Sequence, residues 1–179
     1  RARRLLVTTG LTDQLPDIPG IAERWGKDLL HCPYCHGYEV RDQPLGVLGG
    51  TPGAVAHAQL IRQWSHDVVF FAHTTELTDD EREGLTARAI GIVEGPIAEL
   101  VVENDELTGV LMTDGRYVPR TAVFVRPELL GNNDFVHELG GQTDRAGWPL
   151  VDPSGKTTVE GVWAAGNAVN PRAQVITAA

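Results

Sequence analysis

Between Leu45 and Val93 the sequence alternates short, wholly apolar runs with stretches of helical periodicity, and this alternation constrains the fold more than any other feature. Leu45-Gly46-Val47-Leu48 runs into Gly49-Gly50, an apolar strand entering a tight turn. From there Ala54, Ala58, Ile61 and Trp64 recur near the 3.6-residue period of a helix that buries one face. Val68 to Phe71 is a second apolar run, and Ile90 to Val93 is a third. Between them Thr78, with Glu81 three residues on, has the form of a capping box for a helix to about Arg88. Strands apolar at every position are covered on both faces, and strands separated by helices run parallel, because the chain must cross over before it re-enters the sheet.

The order strand, helix, strand, helix, strand predicts an α/β chain built on a Rossmann-type nucleotide-binding fold. Ile97–Glu103, Leu107–Thr113 and Arg116–Pro119 follow, separated by Asn104-Asp105 and Asp114-Gly115, and predict a meander of antiparallel hairpins. Val123 to Val125 predicts another strand, and Gly161-Val162-Trp163-Ala164-Ala165-Gly166 a last one, followed by a helix from about Pro171. Residues 11–31, with turn residues at Pro16, Pro19 and Gly20, read as a connector. Arg4 to Gly10 has the form of the last strand of something larger, and Gln174 to Ala179 that of an interrupted helix, so the 179 residues read as a piece of a longer protein.

Charge narrows the classes of partner. There are 24 Asp and Glu against 15 Lys and Arg, a net charge of −9, and the only basic cluster is Arg1, Arg3 and Arg4. Neither nucleic acid nor an anionic membrane is attracted to such a surface. No apolar run approaches the ~20 residues that span a bilayer, and no secretory leader is visible, so a cytoplasmic location is expected.

Both cysteines of the chain lie in His31-Cys32-Pro33-Tyr34-Cys35-His36-Gly37. Four chemistries compete for this motif. As a redox dithiol, it has the two intervening residues that permit an intramolecular disulfide, and His36 beside Cys35 is placed to act as a base. Zinc accepts two Cys and two His, but adjacent residues point apart and no second ligand pair lies at finger spacing, so no metal is expected. Cys32-x-x-Cys35-His36 also matches a c-type haem attachment, with Met112 as axial candidate in a predicted hairpin. The plainest alternative is two reduced cysteines packed as small hydrophobes. The α/β context favours the dithiol.

Gly49-Gly50-Thr51-Pro52-Gly53-Ala54 stands between a strand and a helix, where a dinucleotide-binding turn belongs. Gly49 suits the tight turn and Ala54 the close helix–strand packing. Thr51 puts a side chain where a phosphate approaches, and Pro52 lacks an N–H to offer it; an ordinary structural turn is the alternative. At the tip of the next strand His73-Thr74-Thr75 supplies neither the acid that meets a ribose nor arginines for a 2′-phosphate, and Glu76 is the nearest acid. Gly166-Asn167-Ala168, after the last strand, lets backbone approach a cofactor, or is an ordinary strand end.

Taken in order, the Thr8-Thr9-Gly10 strand end, the C-x-x-C, the Gly-rich turn, the meander and Val162-Trp163-Ala164-Ala165-Gly166-Asn167 resemble the thioredoxin-reductase-like flavoproteins along essentially the whole chain. The resemblance implies two interleaved dinucleotide-binding domains. Residues 1–28 and 122–179 would belong to an FAD domain, and 29–121 to an inserted NAD(P)-binding-like domain carrying the C-x-x-C, with the first FAD glycine motif upstream. It further implies a homodimer and FAD as cofactor, with Thr9, Gly10, Gly166, Asn167, Ala168, Gln174 and Val175 toward the FAD. By the same resemblance Cys32 is the interchange thiol, Cys35 the thiol beside the flavin, and His36 stands where thioredoxin reductases have an acid–base Asp.

Gly49, Gly50, Thr51, Gly53 and Ala54 then form a degenerate nucleotide turn. The family's glycine at the Thr51 position and its arginine pair at His73 and Thr74 are both absent, which argues against NADPH as reductant. Within the family, Cys-x-x-Cys-His is similar to the FAD-dependent dithiol oxidases of the gliotoxin and holomycin type. There a dithiol reduces the enzyme disulfide and O2 reoxidises the flavin. The expected function is therefore oxidation of a dithiol, on a small molecule or a thioredoxin-like protein, by an FAD enzyme. An NADPH-dependent disulfide reductase of thioredoxin type and a non-enzymatic redox-sensing module with a regulatory disulfide are the alternatives.

Overall fold

A computed structural model describes residues 2–178; Arg1 of the basic cluster and Ala179 of the expected terminal helix lie outside the described residues. Along the chain run β1 (Leu5–Val7), β2 (Leu11–Gln14), α1 (Ile21–Arg24), β3 (Leu29–Leu30) and α2 (Pro33–His36). Next come β4 (Leu45–Leu48), α3 (Ala54–Ile61), β5 (Val68–Phe71), α4 (Asp79–Thr86) and β6 (Gly91–Val93). β7 (Ile97–Glu103), β8 (Glu106–Met112), β9 (Tyr117–Pro119) and β10 (Ala122–Phe124) follow, then β11 (Glu128–Gly131), α5 (Asp134–Glu138), β12 (Val162–Ala164), a 3-10 turn over Gly166–Ala168 and α6 (Val175–Ala178). Two compact units result, Leu15–Pro127 and Arg1–Gln14 with Glu128–Ala179.

In the Leu15–Pro127 unit, β3, β10, β4, β5 and β6 lie side by side in that order, all parallel. Period-2 alternation sorts their side chains onto two faces. Leu45, Val47, Val68, Phe70, Ala122 and Phe124 meet Ala54, Ala58 and Ile61 of α3 and Leu85 of α4. Leu48, Phe71, Val123 and Val125 meet Leu100, Leu107, Val110 and Met112 of the meander. A strand with both faces covered must be apolar throughout, and β4 is buried at all four positions. The meander is the antiparallel sheet β7-β8-β9 read from the sequence, with Asn104 and Asp105 at positive φ in its first turn. The capping box forms as expected: Thr78 Oγ1 accepts the Glu81 N–H at 3.3 Å, and Glu81 Oε2 accepts the Thr78 N–H at 3.0 Å.

Residues 11–31 are more than a connector. They supply β2, α1 and β3, and Ile18 and Ile21 are buried against the meander. Arg24 on α1 is buried and donates to both carboxylate oxygens of Asp28 and to Asp105 Oδ1 at 2.6 Å, which ties the segment to the β7–β8 turn. These contacts, with the pairing of β3 and β10 in the central sheet, put the unit boundaries at 14/15 and 127/128, whereas the expected domain limits are 28/29 and 121/122.

In the other unit β1 pairs parallel with β12, and β2 pairs antiparallel with β11, around Val7, Val136, Val162, Ala164 and Ala168. The helix expected from Pro171 begins instead at Val175. Asn167 Nδ2 donates to Asn170 O at 3.1 Å and Ala173 O at 3.2 Å, and Asn170 Oδ1 accepts the Arg172 N–H, so this stretch is held as a loop. Among the described residues no helix is long and apolar enough to cross a membrane.

Candidate functional site: a dithiol turn and a degenerate nucleotide turn

Cys32 is the N-cap of α2 and Pro33 its first residue, a position where the missing proline N–H costs no helical bond. The Cys32 carbonyl accepts the N–H groups of Cys35 and His36, both at 3.1 Å. A single helical turn therefore places residues three apart on one side, and the two sulfurs stand 2.8 Å apart as free thiols. Cys35 donates to Cys32. That bond first, then burial, then the neighbouring Cys32 and Glu39, raise the Cys35 thiol above its ordinary value. Gly37 closes the turn tightly. A Cβ there would stand 2.5 Å from the Trp64 indole and would press on the Pro33 carbonyl.

A cavity of about 220 Å³ opens beside Cys32, lined by Trp25, Gly26, Leu29, Leu30, His31, Cys32 and His36. Its wall is apolar apart from the two imidazoles and the thiol. His36 is exposed, and among the described residues no hydrogen bond joins its imidazole to either thiol. No three His, Cys, Asp or Glu side chains among the described residues form a metal-binding group.

The nucleotide turn sits where the strand order reverses, at the carboxyl ends of β4 and β10, the usual place for a ligand in such sheets. Gly49 is required by close packing: its N–H donates to Phe71 O at 2.8 Å, and a Cβ would stand 2.7 Å from that same oxygen. The Gly50 N–H, a donor a phosphate would use, is taken by Thr75 Oγ1 at 2.6 Å. A Cβ on Gly53 would stand 2.7 Å from Arg126 Nη1, so the guanidinium covers this glycine. Ala54 is buried against the sheet, and Thr51 Oγ1 is buried without a partner. His73 Nδ1 accepts the Ile97 N–H at 3.0 Å, and burial lowers its pKa, which keeps the ring neutral.

Of the residues expected toward FAD, Thr9 and Gly10 follow β1, and their carbonyls accept hydrogen bonds from Asn132. Gly166, Asn167 and Ala168 form the 3-10 turn after β12, and the Asn167 amide donates to two carbonyls of the following loop. Gln174 precedes α6, and Val175 and Ile176 on it are 88% exposed.

The family profile described as "Pyridine nucleotide-disulphide oxidoreductase" matches residues 1–179. The chain belongs to this family. Thioredoxin reductase sirT of Leptosphaeria maculans is 32% identical over 97% of the chain and 58% of its own length. Thioredoxin reductase aclD of Aspergillus oryzae is 29% identical over 93% of the chain and 56% of its own length. The crystal structure of HlmI superposes with a TM-score of 0.93 at 56% identity, over 99% of this chain and 56% of that one. The chain thus spans somewhat more than half the length of these relatives. The resemblance to thioredoxin-reductase-like flavoproteins and the α/β nucleotide-binding fold are borne out.

Around the family's C-x-x-C the structure adds residues that the sequence did not single out. Trp25 walls the cavity, Trp64 packs on Gly37, and Arg126 covers Gly53. His57 on α3 reaches the residue before Cys32, its Nε2 2.9 Å from His31 O. Only His57 left a legible signal, as the single polar residue on the Ala54, Ala58 and Ile61 face of α3.

Proposed function

We propose that the chain is the redox-active part of an FAD-dependent thiol–disulfide oxidoreductase that oxidises a small-molecule dithiol to a disulfide, with O2 as final acceptor. One juxtaposition within Leu15–Pro127 carries the reading: Cys32, its sulfur 2.8 Å from that of Cys35, lines an apolar cavity, while in the nucleotide turn of the same unit the Gly50 N–H is taken by Thr75 Oγ1 and Arg126 covers Gly53. A cavity of about 220 Å³ suits a small molecule better than a thioredoxin-like protein.

The chemistry starts from the Cys32–Cys35 disulfide. A substrate thiolate attacks Cys32 Sγ, the sulfur on the cavity; the Cys32–Cys35 bond breaks and Cys35 leaves as thiolate. The second substrate thiolate attacks the substrate sulfur of this mixed disulfide, and Cys32 leaves as thiolate. The substrate has lost two electrons and two protons, and the electrons reside on the enzyme dithiol. His36, on the cavity wall, is placed to take a substrate proton.

A bound FAD would supply the two-electron acceptor for that pair, with O2 reduced to hydrogen peroxide as the final acceptor. Thr9, Gly10, Gly166, Asn167, Ala168, Gln174 and Val175 would hold it. Gly10 and Gly166, at φ 69 and 68, offer backbone without a side chain, and exposed Val175 and Ile176 offer apolar surface for a flat ring.

The test is anaerobic reduction of the full-length holoprotein. A simple dithiol should bleach the flavin absorbance, and micromolar NADPH should not. Rapid bleaching by NADPH would overturn the oxidase reading in favour of a reductase. No bleaching by either would overturn the enzyme reading altogether.

A further inference from the structure

His57 belongs neither to the dithiol nor to the nucleotide turn, yet it is among the few polar side chains buried in the molecule, at 8% exposure. It lies on the buried face of α3 with Ala54, Ala58 and Ile61, its ring edge-on to Phe124 at 6.1 Å. A leucine there would fill the same space and leave no polar atom unpaired. The histidine leaves Nδ1 buried with no partner, a cost that an apolar residue avoids. Its other nitrogen shows what the residue does. Nε2 lies 2.9 Å from the carbonyl oxygen of His31, which can only accept, so the ring carries its proton on Nε2 and donates it. His31 is also tied to the sheet, its Nδ1 3.1 Å from Val125 O at the end of β10. The next residue is Cys32, the N-cap of the redox turn. The peptide that enters the turn is thus held from α3 and from β10.

We propose that His57 is a positioning residue for Cys32: through its hydrogen bond to the His31 carbonyl it fixes the His31–Cys32 peptide and keeps the two sulfurs within bonding reach. This rests on the dithiol reading above. The quantity that reports it is the exchange equilibrium with glutathione. Protein dithiol plus oxidised glutathione gives protein disulfide plus two reduced glutathiones; two electrons and two protons pass from the cysteines to glutathione. The equilibrium constant measures the effective concentration of one protein thiol at the other. A peptide released from His57 samples a wider spread of sulfur separations, and the constant falls.

The experiment equilibrates the full-length holoprotein with anaerobic glutathione buffers, follows the flavin absorbance, and reads the disulfide by thiol trapping and mass spectrometry. His57→Leu should lower the constant threefold or more. His57→Gln, whose amide can donate to the same carbonyl, should recover most of that loss; a residue that only fills space would show no such rescue. A change below threefold in His57→Leu, or no recovery in His57→Gln, overturns the proposal. Should His57→Leu not fold, nitrogen-15 NMR of the unsubstituted protein decides: the Nε2–H tautomer with a resonance that moves when the cysteines are oxidised supports the role, and an unmoved resonance overturns it. Absence of any Cys32–Cys35 disulfide at every glutathione ratio would remove the dithiol reading itself, and this inference with it.

Discussion

Gly37 is the position where the smallest change should disturb the dithiol most. The Cβ of Gly37→Ala would stand 2.5 Å from the Trp64 indole, about 1 Å inside ordinary van der Waals contact. On the other side it presses on the Pro33 carbonyl, which accepts the Gly37 N–H and closes the turn. Trp64 cannot retreat freely, because it packs against the core beneath α3. The single-turn α2, which carries Cys35 and His36, must absorb the shift. Overpacking of this size costs about 1–3 kcal/mol. Displacing a reacting group by ~1 Å costs on the order of 10²-fold in rate. The assays are thermal unfolding and dithiol-driven flavin reduction in the full-length protein. A Gly37→Ala protein with a rate within threefold of the unsubstituted one would refute the argument that the Trp64 contact sets the position of the dithiol turn.

His36→Ala should slow dithiol-driven flavin reduction by roughly 10²-fold near neutrality, the usual size of a general-base effect, and the loss should shrink as pH rises and solvent supplies the thiolate; an unchanged rate from pH 6 to 9 removes His36 from the mechanism. Burial first, then the neighbouring His31, push the His57 imidazole down to about 4. The unfolded chain therefore binds a proton, below its pKa of about 6.5, that folded His57 refuses until about pH 4, so stability falls as pH drops through this window, by up to about 3 kcal/mol. Urea denaturation of His57→Gln should show a flatter pH dependence there, and an unchanged slope would contradict the assignment. Thr78→Ala removes the hydroxyl that accepts the Glu81 N–H and should destabilise by about 1 kcal/mol in thermal unfolding.

The sequence by itself determined what depends on near neighbours. The β4–α3–β5–α4–β6 rhythm, the Thr78–Glu81 box and the meander turns are each written within a few residues, and each forms as read. The C-x-x-C was legible because one helical turn is enough to bring its sulfurs together. What the tertiary structure decided are pairings across the sheet. His57 reaches His31 over a separation of 26 residues, and His31 reaches Val125 over 94. Arg126 covers Gly53 only because β10 inserts between β3 and β4, and the same insertion draws residues 15–28 and 122–127 into the central unit. Helix and turn patterns repeat with the period of the backbone itself, so they can be read along the chain. Strand order is set by which apolar faces find cover in three dimensions, and no local spacing records it.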